Sequence, residues 1–532
     1  MSHEKHLVLG IDLGTTYSAV AYLDEFGEAK IIASDNNERI TPSVVFFENK
    51  ENIIVGQNAK DEYELSPDKV VAFAKRNMGR KKEDSKGEGM PYNFYNKIYS
   101  PEEISAFILQ KLKQYATREF KGIDIRDAVI TVPAYFDEAK RKATKDAGAI
   151  AGLNVLQVIN EPTAAAIYYA TKTDQLGKNI FVFDLGGGTF DVTILNCDNT
   201  GGKISIEVKD SDGDARLGGK DWDEVIIQHC MEIFTEEHGE NLKQDPEGYA
   251  DLVGRAEKAK KQLSEKEKAA IPVRGHGKQT RIDLTKEQFE SLSEVLLEKT
   301  RICCDRILKN NHLSWKDIDT VLLVGGSTRM PMVKRMLREI SGMEIREDLV
   351  QPDECVALGA AIQGSRLKLM EGSDKNIVDT SNPVYAKLGN IDVLDILTQS
   401  IGTTYLSNDG VTKKNMLMLK RKTKLPAAKV ESFVTSVENQ KGVTIDVTEG
   451  ESEDPEYCKI LVEKVLELKR PMPKGSPLEI TFTMDISGLL NVKALDLTEN
   501  AAIEFQLERK NNLSDAEIQE AVNNHSNLKI KA

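Results

Sequence analysis

The chain has 532 residues, a formal net charge of −14, 40% apolar and 29% charged residues. That balance argues against a nucleic-acid carrier, which needs a basic face, and no apolar run approaches the roughly twenty residues of a membrane-spanning helix. The length suggests about three or four domains, and the six cysteines fall in no CxxC or zinc spacing, so they read as reduced thiols. The start, Met1 to His6, enters a strand at once without a signal-like apolar segment, which predicts a cytoplasmic protein.

In chain order, the apolar run Leu7 to Ile11 ends in Asp12-Leu13-Gly14-Thr15-Thr16, and Ala19 to Tyr22 alternates as the next strand. The glycine turn is therefore a hairpin tip. Its glycine lets backbone N–H groups face a phosphate, its threonines add hydroxyls, and its leading Asp can hold a hydrated Mg²⁺. Thr41-Pro42-Ser43 leads into a strand from Val44 to Phe47. Ser100-Pro101-Glu102-Glu103 caps a helix, with acids at the positive dipole end. Ile104, Phe107, Ile108 and Leu112 continue it at helical spacing. Ala128 to Val132 reads as a buried strand ending at Pro133, and a helix follows from about Asp137 to Ala151.

The order then repeats. Ile180 to Phe183 is a second β-type run, ending in Asp184-Leu185-Gly186-Gly187-Gly188-Thr189, with Val192 to Leu195 as the return strand. One such turn also occurs in ordinary hairpins; two in one chain point to duplicated halves gripping a nucleotide. A long charged helix runs from about Tyr249 to Ser264, and the strand Thr320 to Val324 meets Gly325-Gly326-Ser327-Thr328-Arg329 before another helix. Residues 1–370 thus form one two-lobed α/β unit. Residues 371–398 read as a linker containing the short apolar run Ile391 to Leu397. Short alternating strands across 399–510, such as Val443 to Val447 and Leu478 to Met484, predict a β-sandwich. Residues 511–532 hold a capping box, Ser514 to Glu517, opening a short helix with Ile518 and Val522 on one face.

A third element completes the candidate nucleotide site. Glu257, Lys260, Lys261 and Ser264 share neighbouring helix faces at spacings of three and four, though such a face is more often solvated surface. The Gly325-Gly326-Ser327 turn is the more specific signal, since it lets a flat ligand lie against backbone.

Ile11 to Thr16, Val132 to Phe136, Asn160-Glu161-Pro162-Thr163-Ala164-Ala165-Ala166, Phe183 to Asp191 and Leu323 to Pro331 together resemble the DnaK-type heat-shock-seventy chaperones, collinearly from about residue 6 to Ser514. The resemblance implies an α/β two-lobed actin-like ATPase with duplicated ribonuclease H-like halves. It implies an all-β sandwich peptide-binding domain after it, and a short C-terminal helix. ATP or ADP and Mg²⁺ are the implied cofactors, with slow hydrolysis. Thr15, Thr16, Tyr17, Gly186, Gly187, Gly188 and Thr189 match phosphate contacts, and Lys75 matches the lysine that positions the attacking water. Asp12, Glu161 and Asp184 match the acids around Mg²⁺ and water, with Asp12 and Asp184 holding the metal through water. Glu257, Lys260, Lys261, Ser264, Gly325, Gly326, Ser327, Arg329 and Asp353 match the nucleoside pocket. On residue type alone, Lys75 in its basic stretch is solvated surface, Glu161 is a turn residue, and Asp353 caps the next helix.

The resemblance also assigns Pro133, Arg141 and Asp395 to a relay between nucleotide and linker. It places Val443, Phe433 and Ile445 in a peptide pocket, with Leu406 and Ser436 arching over it; without it, these apolar residues read as sandwich core. Unfolded or extended polypeptide clients are the implied partners, with a J-domain co-chaperone and a nucleotide exchange factor beside them, and neither nucleic acid nor membrane. Departures are visible. Asp392 interrupts the linker's leucine run and should weaken its docking. Gln157 stands where bacterial members carry a co-chaperone-binding arginine, and residues 265–279 look short for a standard exchange-factor contact. Thr403 and Tyr405 alter the pocket, and the family's helical lid stops after its first turns. A dedicated regulatory binder and a small-molecule kinase on the same fold are the competing readings.

Overall fold

The computed structural model describes residues 7–173, 177–200, 203–371, 388, 390–407, 409–507 and 513–531. Two sheets repeat one plan. In the first, the meander Leu9–Asp12, Tyr17–Leu23, Ala29–Ile31 is antiparallel, and Asp127–Val132 lies parallel beside its first strand. Asn154–Asn160 extends that edge, while Thr41–Pro42 pairs with the second strand. In the second, the meander is Asn179–Leu185, Phe190–Thr200, Lys203–Asp214, and the parallel neighbour of its first strand is Thr320–Val324. Each meander places its glycine tip at the turn between its first two strands.

Two helices of small residues, Glu161–Lys172 and Cys355–Glu371, cross between the sheets. A Cβ on Gly359 would lie 1.8 Å from the Ala164 carbonyl oxygen, and one on Gly10 would lie 2.0 Å from the Ala361 nitrogen. Backbones this close admit no side chain, which is why Gly and Ala recur there. The surrounding apolar cluster runs from Val129 and Ile159 of the first sheet to Ile180, Val182 and Val324 of the second.

Ser100 caps the helix Pro101–Glu119 in a capping box with Glu103, and Asp137 caps Glu138–Ile150. The charged helix begins three residues earlier than its periodicity indicates, at Pro246–Leu263, because Asp245 caps it and Pro246 occupies its first turn.

Two four-stranded antiparallel sheets follow, Lys413–Leu419, Ile401–Leu406, Gln440–Glu449, Lys459–Met472 and Ala427–Val434, Pro477–Met484, Leu490–Asp496, Ala502–Gln506. They share a core around Ile445, Val447, Leu478, Phe482 and Val492. Most of the linker expected over 371–398 lies outside the described residues. Its end is ordered, because Ile391–Leu394 pairs in parallel with Lys203–Asp214 of the second sheet. Asp392 does not prevent this: its carboxylate lies 3.6 Å from Lys203 and 3.9 Å from Arg366.

The expected terminal helix is Asp515–Ser526, capped by Ser514. The lid helix expected over 511–532 does not run the whole segment. Lys529–Lys531 is a strand paired in parallel with Asn52–Val55, the edge of a sheet completed by Val44–Phe47 and Val70–Ala72. Three residues are too few for a periodicity signal. Among the described residues no helix is long and apolar enough to cross a membrane.

Candidate functional site

The two glycine tips are fixed by hydrogen bonds from outside themselves. Gly14 donates to Ser18 Oγ at 3.1 Å, and Ser43 Oγ donates to the Gly14 carbonyl at 2.8 Å. The second tip closes with Gly186 N donating to the Thr189 carbonyl at 3.1 Å, and Ser327 Oγ donates to the Gly186 carbonyl at 2.9 Å. The tips then meet face to face. A methyl on Gly187 would sit 1.7 Å from Thr16 Oγ1, and one on Gly188 would sit 2.4 Å from Thr15 Cγ2. Gly187→Ala must therefore part the tips, an overpacking cost of about 1–3 kcal/mol. Nucleotide affinity, measured by titration calorimetry, is expected to fall about tenfold or more; unchanged affinity would show that the tips do not set the site.

Below the tips lies a buried carboxylate floor. Asp12 and Asp184 end the first strand of each meander, Glu161 opens its helix, and Asp191 pairs across the hairpin from Asp184. Lys75, supplied by the short turn Ala74–Asn77, is 5% exposed and donates to Glu161 Oε1 at 2.6 Å. Burial and the neighbouring Glu161 charge push Asp12 and Asp184 well above the carboxylate range, and push Asp191 up to about 8. Four acids facing one lysine lack positive charge. Among the described residues no three such side chains converge to ligate an ion directly. Thr16 Oγ1 is also buried without a protein partner among the described residues, an unused donor in the residue that lines the cleft above this floor.

The far end is a cationic clasp. Glu257 takes Lys60 and, at 2.8 Å, Lys261; Tyr17 Oη donates to Glu257 at 3.0 Å and accepts from Lys60 at 2.9 Å. These cations hold Glu257 down at about 2 despite its burial. Lys260 donates to the Gly219 carbonyl at 2.7 Å and pairs with Asp223 at 2.8 Å. Arg329 Nη2 donates to Asp353 Oδ2 at 2.6 Å, so Asp353 is engaged across the cleft mouth.

These groups line one cleft of about 840 Å³, within the size of small-molecule sites. It gathers Asp12, Thr15, Thr16, Tyr17, Lys75, Glu161, Asp184, Gly186, Gly187, Thr189, Glu257, Lys260, Lys261, Ser264, Gly325, Gly326, Ser327, Arg329 and Asp353. Gly188 does not line it; its carbonyl accepts from Arg76 Nε at 3.1 Å instead. Sequence reasoning missed Lys60, whose short helix Gln57–Asp61 carries no motif, and Arg76, which pairs with Asp221 at 2.6 Å. Asp191 lay inside a quoted motif without a role.

The floor continues toward the sandwich. Tyr135 N donates to Asp191 at 3.1 Å, and the turn from Pro133 to Phe136 closes with Phe136 N on the Pro133 carbonyl at 3.1 Å. Arg141, buried, donates to the Phe136 carbonyl at 3.1 Å and to Asn160 Oδ1. Asn160 Nδ2 in turn donates to Asp395 Oδ2 at 2.8 Å, and Thr163 Oγ1 adds a bond at 3.3 Å. The sandwich seats beside this chain: Gln157 Nε2 donates to the Ile486 carbonyl at 3.1 Å, Val158 N to Ser487 Oγ at 3.2 Å, and Arg421 to Asp210 at 2.6 Å. Gln157 is thereby committed to an internal contact, with Gln363 holding its Oε1 at 2.7 Å.

Among the peptide-pocket candidates, Leu406 is exposed, Phe433 and Val443 are half-buried against the sandwich core, and Ser436 N donates to Gln440 Oε1 at 2.8 Å. Ile445 is 0% exposed and belongs to the core, as the reading without the resemblance has it.

A family model described as Hsp70 protein matches residues 8–531 of the chain.

Proposed function

The chain belongs to the Hsp70 family, and on that premise we propose that it is a DnaK-type, ATP-hydrolysing chaperone in which nucleotide state sets the affinity for extended apolar peptides. Members of this family are ATPases that act as chaperones and bind nucleotide with Mg²⁺. The reading divides the chain into an actin-like ATPase unit over 1–370, a linker over 371–398, a sandwich over 399–510 and a short lid segment over 511–532. Mg²⁺, when bound through water to Asp12 and Asp184, supplies charge neutralisation. The protein's own part is positioning: Lys75 holds Glu161 and orients the attacking water, while Thr15, Thr16, Gly187 and Thr189 cradle the phosphates. The cytoplasm is the proposed location, and J-domain and exchange-factor proteins are the proposed partners beside unfolded clients.

The observation that carries this reading is the continuous path from Asp191 to Asp395: Tyr135 N donates to Asp191, the Tyr135-Phe136 backbone leads to Arg141, and hydrogen bonds then run through Asn160 to Asp395. A cleft that only consumed ATP would not need such a path to an appended sandwich. Both sites biasing one docked arrangement is what linkage between them requires.

The test is release of a fluorescent leucine-rich extended peptide, first in ADP and then after ATP is added. ATP is expected to accelerate release. Thr189→Ala is expected to slow hydrolysis by ~10²–10³, as for loss of one transition-state donor, while ATP still triggers release by binding. Peptide binding indifferent to nucleotide would overturn the coupling, and no peptide binding at all would favour a dedicated partner.

A further inference from the structure

The sandwich is tied at both of its ends by strand addition, each time to a different half of the ATPase unit. At its front, Ile391–Leu394 joins the second meander sheet. At its back, Lys529–Lys531 lies in parallel on Asn52–Val55, with Ile530 opposite Ile53, on what is otherwise the bare edge of that small sheet. Lys529 N donates to the Glu51 carbonyl at 2.8 Å, and Lys531 Nζ meets Glu48 at 2.8 Å. Leu528 and Ile530 pack against the first half's core, so the segment alternates apolar and basic residues to match an apolar floor and an acidic rim.

The helix between is docked as well. Ala521 lies within the same core, with Leu513 and Ile518 packed against it. His525 is 2% exposed and stacks on Phe107 at 4.1 Å between ring centroids. Its Nδ1 faces Gln110 Oε1 at 3.3 Å, and its Nε2 has no hydrogen-bond partner among the described residues.

We propose that the Asn52–Val55 edge is a strand-acceptor site for an extended segment of alternating apolar and basic residues, filled in cis by Leu528 to Lys531. This clasp holds the sandwich on the ATPase unit independently of the linker strand. It deepens the chaperone reading by giving the docked, fast-exchanging arrangement a second anchor, but strand addition stands or falls without any ATPase activity.

His525 makes the clasp pH-sensitive. Burial, with Lys97 nearby, pushes the docked imidazole down to about 3. The charged groups facing it are Glu103 at 3.9 Å and Lys97, itself 3.0 Å from Glu103. A free imidazole titrates near 6.5, so docking is strongest above that pH and weakens about tenfold per pH unit below it, down to the docked value.

The experiment is hydrogen exchange over residues 52–55 in the full chain and in Lys529→Pro, which deletes the bond to Glu51 without touching the helix Asp515–Ser526. Protection over 52–55 is expected to fall at least tenfold in the variant while the core strand Asp127–Val132 stays protected. Equal protection over 52–55 in both chains would overturn the proposal. In parallel, a dye pair on Glu520 and Lys121 reports helix docking between pH 7.5 and 5.5. About tenfold weaker docking is expected at 5.5 than at 7.5, abolished in His525→Phe, which keeps the stack on Phe107. A pH-independent wild-type chain would refute the buried histidine.

Discussion

Lys75→Met is expected to lower single-turnover ATP hydrolysis by ~10²–10³ while ATP affinity changes far less. Lys75 is the cation bonded within the buried floor, 2.6 Å from Glu161, with Asp12, Asp184 and Asp191 as the surrounding acids. Methionine keeps most of the side chain's length and apolar stem, so loss of charge is separated from loss of packing. Without the ammonium group, Glu161 faces three other carboxylates with no cation bonded to it. The proposed water-orienting geometry of the floor is lost, while the glycine tips with Thr15, Thr16 and Gly187 are untouched. Breaking a buried pair commonly costs about 3–5 kcal/mol, so thermal unfolding of the variant must be followed alongside its rate. Wild-type turnover in a folded Lys75→Met chain would remove this lysine from the chemistry. A parallel collapse of ATP affinity would make it a binding residue instead.

The same floor shows what a sequence can and cannot disclose. Both glycine tips were legible because turn chemistry is local: Gly14 and Gly186 follow apolar runs, and the return strands begin within a few residues. The pairing of Lys75 with Glu161 was not, because it joins residues 86 apart that share no periodicity. In its basic stretch Lys75 looked solvated, and only the resemblance assigned it a role. Lys60 shows the limit more clearly. Its helix is a single exposed turn, yet its amine crosses the cleft to Glu257, 197 residues away. In the sandwich, strand alternation puts Val443 and Ile445 on the same side of Gln440–Glu449, but depth within the core separates them: Ile445 is sealed and Val443 is half-buried. The pairing of the linker strand was not legible for a related reason. Asp392 looked like a break in an apolar run, but the cations that answer it, Lys203 and Arg366, come from a strand and a helix far apart in the chain.

Arg141→Ala is expected to abolish the acceleration of peptide release by ATP. Asp395 is half-buried at the end of the linker, and desolvation there raises its pKa above its ordinary value even with Arg141 nearby to offset it. Asn160 and Thr163 donate to it, but the positive charge that balances it is the guanidinium beyond Asn160. Removing that charge leaves a partly desolvated carboxylate without compensation, a cost of up to about 3–5 kcal/mol. The cost falls on the docked arrangement alone, because an undocked linker returns Asp395 to water. The docking equilibrium should therefore shift by up to roughly 10²–10³, at 1.4 kcal/mol per tenfold. Two further results separate this mechanism from simple misfolding. Asp395→Asn in the Arg141→Ala background should restore much of the docking, since a neutral amide still meets Asn160 and Thr163 without needing a cation. Docking of the single variant should also recover as the pH is lowered. A group whose docked pKa is raised favours docking in its protonated form, and that contribution is lost as pH climbs through the docked value. Measured as hydrogen exchange over Ile391–Leu394, undocking in Arg141→Ala that neither Asp395→Asn nor acid reverses would mean that Arg141 acts through the Phe136 turn and not through the charge of Asp395.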